Sequence, residues 1–397
     1  MHDIRYDYRE FIPLKTFTSE ITSVAHGGHG VTRVDGRVCF VPYALPGDVA
    51  VIQIERELRG VLWGAIESIE TPSPHRTEAA CPYFGTCGGC TWLHFDYPGQ
   101  AESKQQIVRD CFERIAKIDV EIGWRENSDL RLGYRTRATF FANDGLRGFH
   151  ALRTNDVVDV AHCALCHRKL NDCLRVLREI GCKNDVEVCV NPEGDEVLVW
   201  TDRPNAMLAE HFPLAGHRRA KGKRARFTFD GAPIVNGGFS QASLLLNRLL
   251  REVVHGELGE PKTVLDLYAG SGNLSITLPK TANVRGIDED RSGIAAAEKV
   301  RPGSYRAGKI PAFQRALKRG LWDVIILDPP RTGAKAIMKD IAGAKAGRIV
   351  YVSCNPSTLA RDAATLCANG WRVEKVTALD LYPNTAHVEC ACTFLPA

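Results

Sequence analysis

Hydrophobic and polar positions change their rhythm along the 397 residues, and each change predicts a different architecture. Over positions 14–69 the apolar residues come in short alternating runs (21–24, 31–34, 38–41, 49–54 and 61–69) divided by glycine and proline. Alternation places every second side chain on one face, so this stretch predicts a small five-stranded β-barrel. The prolines of positions 71–75 mark a linker. Positions 98–118 follow a helical period, with Ile107, Cys111, Ile115 and Ile118 on one face. Segments 134–141 and 146–149 alternate again about Asn143-Asp144-Gly145, which predicts a hairpin. From about Phe227 fully apolar strands alternate with amphipathic helices, the pattern of a parallel sheet covered on both faces. The prediction is a multidomain α/β protein divided at 1–72, 73–226 and 227–397, with helix 98–118 a candidate to pack on the last of these.

Four strand ends in the α/β part carry chemistry. The stretch TVLDLYAGSGNLSI (263–276) reads as a buried strand, an acid, a tight Gly270-x-Gly272 turn and a helix start, which is a nucleotide-binding first βα unit. It lacks the third glycine of G-x-G-x-x-G, where Ser275 stands, so an adenosyl ligand without a pyrophosphate is favoured. Asp288 ends the next strand, where an acid can accept bonds from a ribose. An apolar run then ends in Asp328-Pro329-Pro330, whose prolines stop ladder pairing and fix a rigid loop. The fourth end is SCNPSTLARD (353–362), which puts Cys354 at a strand tip beside a helix start, a placement expected to favour the nucleophilic thiolate. A buried structural cysteine is the competing explanation on that stretch alone.

Charge changes this picture little. Net charge is +4, so any basic surface must be local, and HRRAKGKRAR (217–226) is one candidate. The N-terminal MHDIRYDYRE has no apolar core of an export signal, and no stretch has the apolar length of a membrane span. The expectation is a cytoplasmic protein, monomeric and without a membrane partner. Fourteen cysteines then argue for reduced thiols, metal ligation or catalysis rather than disulfides. Cys81, Cys87 and Cys90 form C-x5-C-x2-C, and Cys163-Ala-Leu-Cys166-His167 follows. That second string matches a haem-attachment pattern, which an unexported chain would not use. Zinc held by Cys87, Cys90, Cys163 and Cys166 would leave Cys81 idle, whereas a cubane iron-sulfur cluster uses the whole first group plus one later cysteine.

HGGHGVTR (26–33) and FVPYALPGD (40–48) resemble a TRAM domain, an RNA-binding barrel of the OB type. Taken with CPYFGTCGGC, YRTR, GFH, HCAL, FSQ, DLYAGSGN, DPPRTGA, SCNPSTLARD and LYPNTAHVE in that order, nearly the whole chain resembles the RNA 5-methyluridine methyltransferase family. The resemblance implies a TRAM barrel, a central iron-sulfur α+β domain and a Rossmann-like S-adenosylmethionine-dependent methyltransferase domain. It implies methylation of uridine C5 in RNA, with Cys354 adding to C6 and Glu389 removing the C5 proton. Gln241, Tyr268, Asn273, Asp288 and Asp328 would line the cofactor site, and Cys81, Cys87, Cys90 and Cys163 would hold a structural [4Fe-4S] cluster. TRAM, Arg135 and the basic run would grip phosphates of the RNA, ribosomal rather than transfer. Segment 290–312 lacks an obvious third strand with its own cofactor contact, and Cys166, Cys390 and Cys392 are left to packing. Rival readings are a transfer-RNA uridine methyltransferase, a cytosine methyltransferase, which wants a cysteine where Arg331 follows the prolines, an amino-methylating enzyme, and an inactive iron-sulfur RNA-binding protein.

Overall fold

The computed structural model describes residues 15–220 and 222–397. The first fourteen positions of the expected 1–72 barrel, and Lys221 of the basic run, lie outside the described residues. The chain divides into two compact units, the first built mainly from residues up to 85 and 90–107, the second mainly from 108–383 and 387–397.

The first unit holds β1 (Thr16–Glu20), β2 (Ser23–Val24), β3 (Gly30–Val34), β4 (Arg37–Val41), β5 (Val49–Leu58) and β6 (Val61–Thr71). They form one sheet in the order β1-β5-β6-β4-β3-β2, six strands where the apolar rhythm predicted five. The added strand, TFTSE, is too polar to stand out in sequence; it pairs only with β5 as a sheet edge. Ile21, Val34, Cys39, Val41, Ile52 and Ile54 close the core beneath the sheet. Helix α1 (Tyr97–Cys111) ends seven residues earlier than the 98–118 period suggested. A single π turn at Phe112–Ala116 and a left-handed Lys117 (φ 59°) shift the register, which leaves Ile115 42% exposed instead of on the buried face.

After the end of α1 and the π turn, the second unit continues with β7 (Ile122–Arg125), β8 (Arg137–Asn143), β9 (Leu146–His150) and β10 (Val157–Asp159). The β8–β9 hairpin turns on Asp144 and Gly145, both at positive φ (46° and 86°), the twist a two-residue turn requires. Helix α2 (Arg168–Glu179), strands β11 (Val186–Val190) and β12 (Val197–Thr201), helix α3 (Ala206–His211) and strand β13 (Leu214–His217) complete a six-stranded sheet, β10-β9-β8-β11-β12-β13, with α2 against it. A small hairpin of β14 (Arg226–Phe229) and β15 (Ala232–Val235) leads to α4 (Asn247–Leu258). Residues 237–246 between the hairpin and this helix form a loop.

The remaining elements are β16 (Thr263–Leu267), β17 (Asn283–Asp288), α5 (Arg291–Val300), β18 (Tyr305–Ala307), α6 (Ile310–Arg319), β19 (Leu321–Leu327), α7 (Met338–Ala342), β20 (Lys345–Ser353), α8 (Pro356–Cys367), β21 (Trp371–Leu379) and β22 (Glu389–Pro396). They build an eight-stranded sheet, β18-β17-β16-β19-β20-β22-β21-β7, parallel except for β22. Its central strands are buried on both faces, which explains their unbroken apolar runs. The third strand missing from the sequence reading is β18, only three residues long, at the sheet edge. None of the fourteen cysteines, all among the described residues, forms a disulfide. Among the described residues no helix is long and apolar enough to cross a membrane.

Candidate active site

Every crossover in a parallel sheet returns the chain to the same edge, so the ends of β16, β17, β18, β19 and β20 gather there. Above them lies a cavity of about 740 Å³, lined by Gln241, Tyr268, Asn273, Asp288, Asp328, Cys354 and Glu389 among others. All seven catalytic and cofactor residues expected from the sequence therefore face one space.

The pairing register brings Cys354 and Glu389 together. In the antiparallel β20–β22 ladder Val352 opposes Ala391 and Ser353 opposes Cys390, where the ladder ends; its register carried one position further leads to Cys354 and Glu389, which line the same cavity. Directly opposed residues have Cβ atoms roughly 4.5–5.5 Å apart on one face. Because β22 runs against its neighbours, its first residue lies at the edge where they finish. A parallel strand there would have placed its C-terminal end beside Cys354.

The electrostatics differ from the expected activated thiolate. Burial raises the Cys354 thiol above its ordinary value; Glu389 and Asp328 add to the rise, and the Arg331 guanidinium against the sulfur opposes it. The helix start gives less help than expected because Asn355 caps it: its side-chain oxygen accepts from the Ser357 and Thr358 amides, at 3.1 and 3.4 Å. Glu389 is only 2% exposed, and burial followed by the Asp328 charge pushes its carboxyl well up, with Arg331 again opposing. Burial also lifts Asp266 and Asp328 to about 7. One oxygen of Asp266 is buried with no hydrogen-bond partner. A cavity with this many buried carboxylates and a single guanidinium among its cations at the Cys354 end is suited to a positively charged ligand.

The first turn fits the adenosyl expectation. The Gly270 N–H donates to Asp288 (2.9 Å), whose other oxygen accepts from the Asp290 N–H (2.7 Å), so Asp288 ties two loops together at the cavity wall. Tyr268 is held at φ 63°, an uncommon conformation for a bulky residue, with its ring edge-on to Phe313. Gly272 sits at φ 85° with Tyr305 and Ile276 so close that a Cβ would come within 3.0 Å of them. Asn273 exchanges side-chain hydrogen bonds with Asn247 (2.7 and 3.0 Å), and the Tyr382 hydroxyl donates to Gln241 (3.3 Å). Replacing Asp288 by alanine removes charge-assisted contacts; S-adenosylmethionine Kd, read by calorimetry, is expected to rise roughly 10–100-fold.

Sequence reasoning missed Arg331, Tyr382, Asp266 and the segment Gly308 to Pro311, all at the cavity except the deeper Asp266. The DPPR and DLYAG strings contained signals for two of them; β18 was too short to flag the third-strand contact. Phe239, in the FSQ loop, is 72% exposed at the rim. Arg135 is half-buried, with Tyr134, Cys166 and Cys163 near enough to act on its charge. Arg137 is paired with Glu187 (2.7 Å).

The expected cluster ligands are divided between the two units. Cys81 and Cys90 fall in the first unit, Cys87 and Cys163 in the second. Within the second, Cys163 hydrogen-bonds Cys166, which with other contacts overcomes burial and pulls the Cys163 thiol down to about 6. Cys87 is near enough to Cys166 for their charges to interact. Among the described residues, no group of three or more His, Cys, Asp or Glu side chains is arranged to hold a metal ion. Cys390 and Cys392 are fully buried, in keeping with packing.

A parallel sheet with strand order 3-2-1-4-5-7-6 in its main run, an antiparallel seventh strand, and an acid-lined cavity at the carboxyl edge define an S-adenosylmethionine-dependent methyltransferase fold. A family model described as tRNA (Uracil-5-)-methyltransferase matches residues 312–395, and a TRAM domain model matches residues 15–66. The 23S rRNA (uracil(1939)-C(5))-methyltransferase RlmD of Methylococcus capsulatus is 30% identical, over 97% of this chain and 98% of its own. An RNA methyltransferase of Caldanaerobacter subterraneus is also 30% identical, over 93% and 96%. The crystal structure of Pyrococcus abyssi tRNA (uracil-54, C5)-methyltransferase in complex with S-adenosyl-L-homocysteine superposes with a TM-score of 0.73 at 25% identity, covering 95% of this chain and 99% of that one. The chain belongs to the RNA 5-methyluridine methyltransferase family.

Proposed function

We propose that the protein methylates C5 of a uridine in large-subunit ribosomal RNA, and that the observation carrying this is the register that opposes Cys354 to Glu389 inside the cofactor cavity. Uracil C5 is a weak nucleophile. Bonding of the Cys354 sulfur to C6 sends the C5–C6 electron pair toward C5 and the O4 carbonyl, making C5 nucleophilic. S-adenosylmethionine supplies the electrophilic methyl group. Glu389 then takes the C5 proton, the pair returns to form C5–C6, and the Cys354 thiolate leaves. Arg331, set against the sulfur, favours the thiolate at both ends of the cycle. The exposed ring of Phe239 offers a face for a base turned out of its stack.

The ribosomal substrate is supported by the name of the 23S-specific relative that matches end to end. Mapping which uridine loses its 5-methyl group in a strain lacking the gene tests it; loss from transfer RNA would favour the transfer-RNA reading. The TRAM domain would grip the RNA backbone, with the protein acting as a cytoplasmic monomer.

A [4Fe-4S] cluster on Cys81, Cys87, Cys90 and Cys163 belongs to the same proposal. Four soft thiols outside any disulfide suit it chemically, and no step of the reaction runs through it. Anaerobically purified protein is expected to be brown and to contain iron, with both lost on Cys87→Ser; zinc in a colourless protein would replace this assignment.

Burial raises both Cys354 and Glu389, so each holds its proton to higher pH than an ordinary thiol or carboxyl does. Both protons must leave before turnover, so kcat/KM is expected to climb as pH rises from 6 to 9. A profile flat across that range would contradict this protonation state.

A further inference from the structure

We propose that the outer edge of the methyltransferase sheet carries a second phosphate-binding track for the substrate RNA, formed by Arg285, Arg306, Lys309, Arg315 and Arg319 around a concavity of about 390 Å³. No acidic side chain lines this hollow. All five cations are exposed, and none has an ion pair or side-chain hydrogen bond with the described residues. Lys318 on the same helix is different: it reaches Asp340 (3.7 Å).

The fold concentrates these charges. Ile287 of β17 pairs in register with Arg306 of β18, so Arg285, two positions before Ile287, projects on the same side as Arg306. Arg315 and Arg319 are four apart on α6 and so lie one above the other, and Lys309 caps that helix. Like charges at this spacing destabilise a helix, a cost that bound anions relieve. Five unpaired cations about one hollow repel one another and attract a polyanion.

The hollow shares a wall with the active-site cavity: Gly308, Lys309 and Pro311 line both. An RNA strand whose base enters the cavity can therefore continue with its phosphates over the sheet edge. Arginine and lysine on a backbone track fix position without reading sequence. This inference rests on the RNA-methylating reading for its ligand.

Its test is binding of a fluorescent 20-nucleotide poly(U) across a salt series. The triple variant Arg306→Ala/Arg315→Ala/Arg319→Ala leaves out Lys309 because Lys309 also borders the cofactor cavity. Losing three contacts to single-stranded phosphates is expected to flatten the slope of log K against log salt by about 2. Equivalently, between 50 and 200 mM salt the wild type loses affinity about 20-fold more than the variant. The triple Arg→Lys variant is expected to keep the wild-type slope, and S-adenosylmethionine binding is expected to be unchanged in both. An alanine variant that binds cofactor normally and keeps the wild-type slope and affinity overturns the track. So does an unchanged contrast between the alanine and lysine variants. Transfer of labelled methyl to RNA by the wild type is scored separately: if it occurs while the slopes agree, only this inference fails; if it is absent, the functional reading fails.

Discussion

Replacing Cys354 by alanine is expected to lower methyl transfer at least about 10⁴-fold, because no other side chain opposite Glu389 can add to C6 and create the attacking carbon. The loss is in chemistry rather than folding. Cys354 is half-buried at the tip of β20, and removing one sulfur there leaves the core beneath the strand intact. S-adenosylmethionine Kd is expected to stay within about twofold, since uniform binding is untouched. Cys354→Ser is expected to be nearly as inactive, because a hydroxyl gives far less anion than a thiol at neutral pH. Radiolabel transfer to RNA from the deletion strain measures both variants. Activity within tenfold of wild type in either would point instead to an amino-methylating enzyme that needs no thiol.

Glu389→Gln has a different expected signature. Turnover falls about 10²–10⁴-fold, the range for loss of a positioned general base. Addition by Cys354 and methyl transfer still proceed, so a methylated RNA remains bonded to the protein and survives a denaturing gel. Absence of that adduct alongside low turnover would remove Glu389 from the proton-abstracting role and reopen the inactive-protein reading. Stability shifts in the opposite sense. The folded pKa of this buried acid is raised above its unfolded value, so over the window between the two the folded state alone keeps the proton and wild-type stability declines as pH rises. Glutamine cannot ionise and escapes that decline. The variant is therefore expected to gain on wild type in thermal midpoint as pH increases above about 5. A difference that is constant with pH would mean Glu389 is not held protonated.

Local patterns carried much of this molecule. Alternation gave the β-rich N-terminal unit, and unbroken apolar runs ending in DLYAGSG, DPP and SCNP gave the parallel sheet with its functional residues at the strand ends. That inference works because strand period and turn chemistry are written within a few residues of one another. It failed where the signal was short or non-local. Strand β18 has three residues and no rhythm to recognise. The π turn at Phe112–Ala116 carries no proline or glycine to announce it. That Cys163 and Cys166, some thirty residues on, return to stand beside Arg135 is likewise written in no short stretch.

The thiol's charge state shows the same division. A cysteine before a helix reads locally as activated, yet Asn355 caps the helix and two acids from distant strands stand nearby. Composition and the strand and helix periods were determined by the sequence itself, since each is a property of neighbouring residues, whereas Glu389 entered only through the family resemblance. The partnership of residues 354 and 389, the raised pKa values they share, and the row of unpaired arginines at the sheet edge were decided only in three dimensions. An antiparallel strand inserted among parallel ones sets which end of β22 meets β20, and no short stretch of sequence encodes that choice.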